Sequence, residues 1–363
     1  MDGALSKTLD NMWRGGALPV AGTEPQLYPS VAADAVAKLL TLCPRHAITP
    51  LIEADELAKK AGVARIWIKD ERARMGLGSF KALGAAYCIA SAAGDALKDK
   101  IGASQVWETA LHGQTYATAS AGNHGLSVAA GARLFGAEAV IYLSRAVPEA
   151  FAQRLRDKGA RVVRAGDNYE ASMAAAAADA EENGWTLLSD SSWPGYSAPA
   201  IAVMEGYLQL AAEAVAQIDG VPTHIFLQAG VGGLAAAVAA YARQVWGNAP
   251  QIIVVEPDAA PALIESIRSG ELQDTQGPVS SMGRLDCKTP SMVALNGLAR
   301  DADVFATISE QEAAAGVRTL AEYGYATTPS GGAGLAALLA GRVRDLGPDA
   351  RVLAILSEGP EDG

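Results

Sequence analysis

Residues 224–235 read His224-Ile225-Phe226-Leu227-Gln228-Ala229-Gly230-Val231-Gly232-Gly233-Leu234-Ala235. A short apolar run, rich in residues that favour strands, meets a turn of three glycines. An alanine-rich stretch, Leu234–Trp246, follows and reads as a helix. The next apolar run, Gln251–Glu256, reads as a strand again. Strand, tight turn, helix, strand is a βαβ unit, with parallel strands and a right-handed crossover. The strands are almost continuously apolar, which suits a sheet covered on both faces.

The same alternation runs along the chain. Further strands are expected at Arg65–Lys69, Thr115–Thr118, Ala139–Leu143, Arg161–Arg164, Thr186–Ser189, Val304–Ile308 and Arg351–Leu356. Helices are expected at Leu126–Leu134, Ala171–Glu182 and Ser197–Gln217. No period of 20–50 residues repeats, so solenoids and propellers are excluded. The class is α/β. The Trp193-Pro194-Gly195-Tyr196 turn is the clearest punctuation. Gly-rich motifs fall before Gly125 and after Gln228, so one site is expected in a cleft between two α/β lobes.

Composition bounds the function. Of 363 residues, 50% are hydrophobic and 19% charged, which excludes a disordered chain. The net charge of −11 argues against general nucleic-acid or anionic-membrane binding. Cys43, Cys88 and Cys287 are too few and too far apart for a disulfide framework or a metal site. Such cysteine usage fits a reducing compartment. Met1 to Gly16 lacks a signal pattern, and no apolar run reaches membrane length. A cytoplasmic enzyme is the expectation.

Four segments carry chemistry. In Gly78-Ser79-Phe80-Lys81-Ala82-Leu83-Gly84-Ala85, Ser79 can cap a helix that has Lys81 in its first turn. A helix N-terminus disfavours a cation and so favours a neutral, nucleophilic amine. On this segment alone a surface lysine is the simpler reading. In Thr118-Ala119-Ser120-Ala121-Gly122-Asn123-His124-Gly125, small residues at a strand-to-helix turn can expose backbone N–H groups to an anion. A plain turn capped by Asn123 is the alternative. Gly230 to Gly233 make a phosphate cradle by the same logic, and Gly230, Gly232 and Ala235 also fit a dinucleotide fingerprint. Glu256 then stands where a ribose-binding acid is expected, so a nicotinamide oxidoreductase is a rival. The fourth segment is Thr328-Pro329-Ser330-Gly331-Gly332-Ala333-Gly334 with Ile355-Leu356-Ser357-Glu358-Gly359, a strand end whose hydroxyl can face a ring nitrogen.

In this order the segments resemble the fold type II (tryptophan-synthase β group) pyridoxal-phosphate enzymes, from about Thr49-Pro50-Leu51 onward. Within the group the chain is most similar to the branch of 2,3-diaminopropionate ammonia-lyase and threonine dehydratase-like lyases. Leu83 stands where threonine dehydratases usually have Arg. Asp190-Ser191-Ser192-Trp193-Pro194-Gly195-Tyr196 and the loop Gly283–Ser291, with Cys287-Lys288-Thr289-Pro290, resemble that branch.

The resemblance implies two open twisted sheets with helices on both faces. It implies a large domain of residues 1–84 and 193–363, with residues 85–192 inserted as a small one. Pyridoxal 5'-phosphate is the implied cofactor, and a homodimer the implied assembly. Lys81 would bond the cofactor aldehyde, with Phe80 packed beside the ring. Asn123 would bind the ring hydroxyl oxygen, Gly230, Val231, Gly232 and Gly233 the phosphate, and Ser357 the ring nitrogen. Ser120, Ala121, Gly122, His124, Asp190, Lys288 and Thr289 would meet substrate, and Asp190 would assist catalysis. No metal is implied.

The implied reaction is β-elimination from a small amino acid with a β-amino or β-hydroxy group, giving a 2-oxo acid and ammonia. Lys81 takes the α-proton. β-Replacement, as in cysteine synthases, is the alternative on the same cofactor. One departure bears on stereochemistry: diaminopropionate lyases have Asp, and serine racemases Ser, where this chain has Ala121. Alanine carries no proton, so an L-amino acid is expected and racemisation is not. Asp190 is read as meeting the substrate's second amine, or as capping the turn Ser191-Ser192-Trp193.

Overall fold

The computed structural model describes residues 7–19, 26–41, 43, 45–98, 107–343 and 346–360. Their strands are β1 (Thr8–Asp10), β2 (Leu51–Glu53), β3 (Arg65–Asp70), β4 (Thr115–Ala119), β5 (Glu138–Leu143), β6 (Arg161–Arg164), β7 (Thr186–Leu187), β8 (His224–Gln228), β9 (Gln251–Pro257), β10 (Val304–Ile308) and β11 (Arg351–Leu356). Their helices are α1 (Ala33–Leu40), α2 (Asp55–Ala61), α3 (Lys81–Lys98), α4 (Asn123–Leu134), α5 (Glu149–Asp157), α6 (Tyr169–Asn183), α7 (Ala198–Gln217), α8 (Gly233–Trp246), α9 (Ala262–Ser269), α10 (Met292–Asp301), α11 (Glu310–Glu322) and α12 (Ala333–Leu339).

Two sheets result. One has seven strands in the order β1-β10-β9-β8-β11-β3-β2, the other four in the order β6-β5-β4-β7. The four-stranded sheet is parallel throughout. In the larger sheet β10, β9, β8, β11 and β3 are parallel, and β1 and β2 pair antiparallel at the edges. Alternate residues face opposite sides of the large sheet. Trp67, Ile225, Val254 and Leu353 enter one apolar cluster, while Ile68, Phe226, Val255 and Ala354 enter another. Both faces are covered, which is why these strands read as unbroken apolar runs.

The nine expected strands form within a residue or two, except that β7 stops at Leu187. There Leu188 N–H still bonds Ala117 O, but Ser189 N–H turns to the Tyr196 hydroxyl, and the chain leaves the sheet just before Asp190. The edge strands β1 and β2 escape sequence reading. Each has three residues, too few to show a period.

Helices α3 and α7 approach closely. A β-carbon on Gly206 would stand 2.5 Å from Leu83 O, and one on Gly84 2.7 Å from Tyr207 Cε1. This glycine pair sets the first turn of α3, with Lys81, directly against Tyr207.

Candidate active site

Lys81 is placed by both ends of its segment. Upstream, the buried Arg74 guanidinium bonds Glu71, Glu213, Thr49 and the Ala47 carbonyl, pinning the loop after β3. Met75 holds φ 53° there. Downstream, Ser79 Oγ accepts from Lys81 N–H at 3.2 Å, so the expected cap forms. Phe80 N–H donates to Ser357 O at 3.0 Å, and Gly359 N–H to Gly78 O at 3.0 Å. The start of α3 is thus stitched to the end of β11.

The Lys81 amine donates to the Asp190 carboxylate. Both side chains are largely enclosed, at 22% and 16% exposure. Burial opposes the ammonium, but Asp190, with Tyr207, outweighs it and holds Lys81 above the usual lysine range. Burial likewise opposes the carboxylate, yet Lys81 and His124 hold Asp190 well below the usual carboxylate range. The Lys81 amine lies 5.5 Å from the centre of the Phe80 ring. That ring packs edge-on against Tyr207 at 4.9 Å.

Asp190 does not cap the following turn. Ser192 N–H goes instead to Ser291 Oγ, the two hydroxyls share a 2.7 Å bond, and Ser291 N–H donates to Val231 O. Through Ser192 and Ser291 the Asp190 segment is tied to the glycine turn. Trp193 and Tyr196 pair across the Pro194-Gly195 turn and stack at 4.3 Å. The Tyr196 hydroxyl binds both Leu187 O and Ser189 N–H, which fixes the base of the Asp190 loop.

Before α4, Ser120 Oγ accepts from Gly122 N–H, and Gly122 is the N-cap without side-chain help. Asn123 does not cap either. Its Nδ2 donates to Glu358 Oε2 at 2.5 Å. Glu358 is buried, and also meets Arg284 Nε at 2.9 Å and the Thr328 hydroxyl. His124 is buried and bonds Leu188 O through Nε2 at 2.9 Å. Burial lowers its pKa, and Nε2, facing a carbonyl, is the nitrogen that donates. His124 therefore braces the strand end that carries Asp190. Ala121 packs its methyl against the apolar core.

The glycine turn follows β8 as expected. Gly232 has φ +100°, a left-handed conformation that favours glycine, and is the N-cap of α8. A β-carbon on Gly230 would meet Cys287 Sγ at 2.9 Å and Arg284 O at 3.0 Å. The first N–H groups of α8 have no intrahelical acceptor and point into this turn, as an anion site requires. Burial, reinforced by the Asp190 charge, pushes the neighbouring Cys287 thiol up to about 12, so it is an inert neutral group.

One sequence expectation is corrected. Glu256 is no ribose ligand: both its oxygens accept N–H groups of Leu263 and Ile264 at 2.8 Å, at the start of α9. Burial pushes it up to about 8. The dinucleotide reading of Gly230–Ala235 therefore lacks its acid. Lys288 ties its own loop, donating to Ala259 O, Pro278 O and Asp286. Thr289 donates to Asp274 at an exposed position. The Lys288 amine and the Thr289 hydroxyl are thus both engaged by protein partners. Ser357 is buried, directly after β11, with its carbonyl on Phe80 N–H.

Sequence reading missed Tyr207, Arg284 and the role of Glu358. Tyr207 sits mid-helix in an almost wholly apolar α7, where nothing marks it. Glu358 was visible as an acid beside a strand end, a signal that was there to read.

A pyridoxal phosphate needs an amine for its aldehyde, an anion cradle for its phosphate and a dry slot for its ring. Lys81, the glycine turn at α8 and the apolar wall of Phe80 supply these. The Tyr207 hydroxyl, buried with no hydrogen-bond partner among the described residues, fits a site built for one more group.

The comparisons agree. The family described as "Pyridoxal-phosphate dependent enzyme" matches residues 42–358. Diaminopropionate ammonia-lyase of Escherichia coli (strain K12) is 34% identical over 349 residues, covering 86% of this chain and 85% of that protein. L-threonine ammonia-lyase of Geobacter sulfurreducens is 29% identical over 315 residues, covering 86% and 71%. The crystal structure of the Escherichia coli diaminopropionate ammonia-lyase in complex with D-serine superposes with a TM-score of 0.84 at 30% identity, covering 97% of this chain and 93% of that one. The chain belongs to the pyridoxal-phosphate dependent enzymes of fold type II, and pyridoxal 5'-phosphate is its cofactor.

Proposed function

We propose that this protein is an ammonia-lyase that removes the β-substituent from a small L-amino acid carrying a β-amino or β-hydroxy group. The products are a 2-oxo acid and ammonia. The observation that carries the reading is the enclosed Lys81–Asp190 pair, set beside a glycine turn that can hold a phosphate. When bound, the cofactor supplies a sink for the electron pair left as the α-proton departs.

The chain's own residues do the rest. Lys81 would bond the cofactor, with Phe80 beside its ring. Gly230, Val231, Gly232 and Gly233 would hold the phosphate, Asn123 the ring hydroxyl oxygen and Ser357 the ring nitrogen. The Lys81 amine would receive the α-proton, and Asp190 would stabilise the resulting ammonium. The bond from Cβ to nitrogen or oxygen then breaks, the leaving group takes up a proton and departs as ammonia or water, a carbon–carbon double bond forms, and hydrolysis of the released enamine yields the 2-oxo acid. Asp190, charged and enclosed, also suits a substrate with a second amine. Ser120, Gly122 and His124 shape the turn that faces the substrate.

Ala121 offers no proton on the opposite face, so only the L-isomer is processed. The sheets favour a division into residues 1–84 with 193–363, and an inserted unit of residues 85–192. We further propose a cytoplasmic homodimer; no helix among the described residues is long and apolar enough to cross a membrane.

The test is borohydride reduction of the cofactor-loaded protein, with peptide mapping, beside 2-oxo acid assays on L- and D-diaminopropionate, serine and threonine. The cofactor is expected on Lys81, with turnover confined to L-isomers, and Lys81→Ala is expected to abolish both. Attachment elsewhere, or D-isomer turnover matching that of the L-isomer, overturns the corresponding part.

A further inference from the structure

Tyr207 has a placement that nothing so far explains. It is 1% exposed, on α7, and its hydroxyl has no hydrogen-bond partner among the described residues. A buried hydroxyl without a partner is costly unless a ligand completes it. The ring is wedged between two glycines. A β-carbon on Gly84 would lie 2.7 Å from Tyr207 Cε1 and 3.0 Å from Cζ, and one on Gly233 would lie 3.6 Å from Cε2. These are atoms of the hydroxyl end of the ring, not of the end attached to α7. Gly84 is on the first turn of the Lys81 helix, and Gly233 is the first residue of α8. The hydroxyl therefore reaches the gap between the Lys81 turn and the glycine turn.

We infer that the Tyr207 hydroxyl is an additional donor to the phosphate of the cofactor, beside the backbone N–H groups of Gly230–Gly233. The inference rests on the reading of that turn as the phosphate cradle. Burial holds the phenol well above the usual tyrosine range, so it keeps its proton and can donate to a dianion. The Lys81 ammonium beside it can only donate, so the phenol's own proton stays available. The site discriminates a phosphorylated ring from the bare one partly through a side chain of α7.

The experiment compares wild type with Tyr207→Phe, which keeps the ring and the packing. Binding of pyridoxal phosphate and of pyridoxal, which lacks the phosphate, is measured by quenching of intrinsic fluorescence, and folding is checked by thermal melting. A hydrogen bond to a charged group predicts that Kd for pyridoxal phosphate rises about tenfold or more. Kd for pyridoxal should stay the same. Equal weakening of both ligands, or no change for the phosphorylated one, overturns the inference; the first outcome would assign Tyr207 to the ring or to Lys81 instead. Wild type that binds neither ligand defeats the cofactor reading itself, a result distinct from either. Tyr207→Leu, which removes the ring, is the control: if it melts early while Tyr207→Phe does not, packing and phosphate binding are separated.

Discussion

Lys69 and Lys81 both meet a carboxylate, and they differ in nearly everything else. Lys69 is wholly buried, and its amine has three acceptors: Thr49 O, Glu213 Oε2 and Gln217 Oε1, at 2.7, 2.7 and 2.9 Å. Arg74 and Glu71 complete that cluster with further bonds. Lys81 has Asp190 as its side-chain acceptor among the described residues. Burial lowers the Lys69 pKa despite Glu213, whereas Asp190 wins over burial at Lys81 and raises it. A saturated ammonium has nowhere to send a proton and no room for a reactant. An ammonium with donors to spare can exchange its partner for a substrate. On the function proposed above, the difference separates a pair that builds the protein from one that works in it.

The comparison breaks most visibly at Asp190. Asp190→Asn keeps the shape and removes the charge that stabilises the Lys81 ammonium. Lyase kcat/KM is expected to fall about 100-fold or more, with the melting temperature nearly unchanged. A large drop in melting temperature would make this pair structural too. At the other cluster the expectation is reversed. Glu213→Ala leaves Lys69 and Arg74 buried without the carboxylate they share, which costs about 3–5 kcal/mol in a denaturant titration. Molecules that still fold should keep their activity within a few-fold.

Acid sharpens the contrast. Burial works against the Glu213 carboxylate, but Arg74 and Lys69 prevail and lower it from 4.5 to about 2. A lowered acid contributes stability above its unfolded value and loses it as pH falls. Up to about 3 kcal/mol should vanish between pH 4.5 and 2 in wild type, and less in the Glu213 variant. The smallest effect is expected from Lys288→Ala. Its amine is held by its own loop, so kcat and KM should move by less than about twofold. A large KM change would return Lys288 to the substrate.

Much of this was legible in the sequence. Near-continuous apolar runs placed nine of the strands, and Ser79, the two glycine turns and Lys81 marked the candidate site. What escaped has physical reasons. β1 and β2 borrow their conformation from a neighbouring strand, a tertiary effect without local pattern. Glu256 had the right spacing for a ribose but was claimed by the N-terminus of α9. Tyr207 owes its position to glycines on two other helices, so no window of sequence around it carries the information.

The stitching of the Lys81 turn to the end of β11 has a consequence for how the protein is made. β11 comes late in the chain yet lies in the middle of the large sheet, between β3 and β8, pairing Ala354 with both Ile68 and Phe226. β3 can find no parallel neighbour until residues 351–356 exist. Folding must therefore wait on contacts of the longest range, which makes it slow. The Lys81 amine cannot be set in place on a half-finished chain.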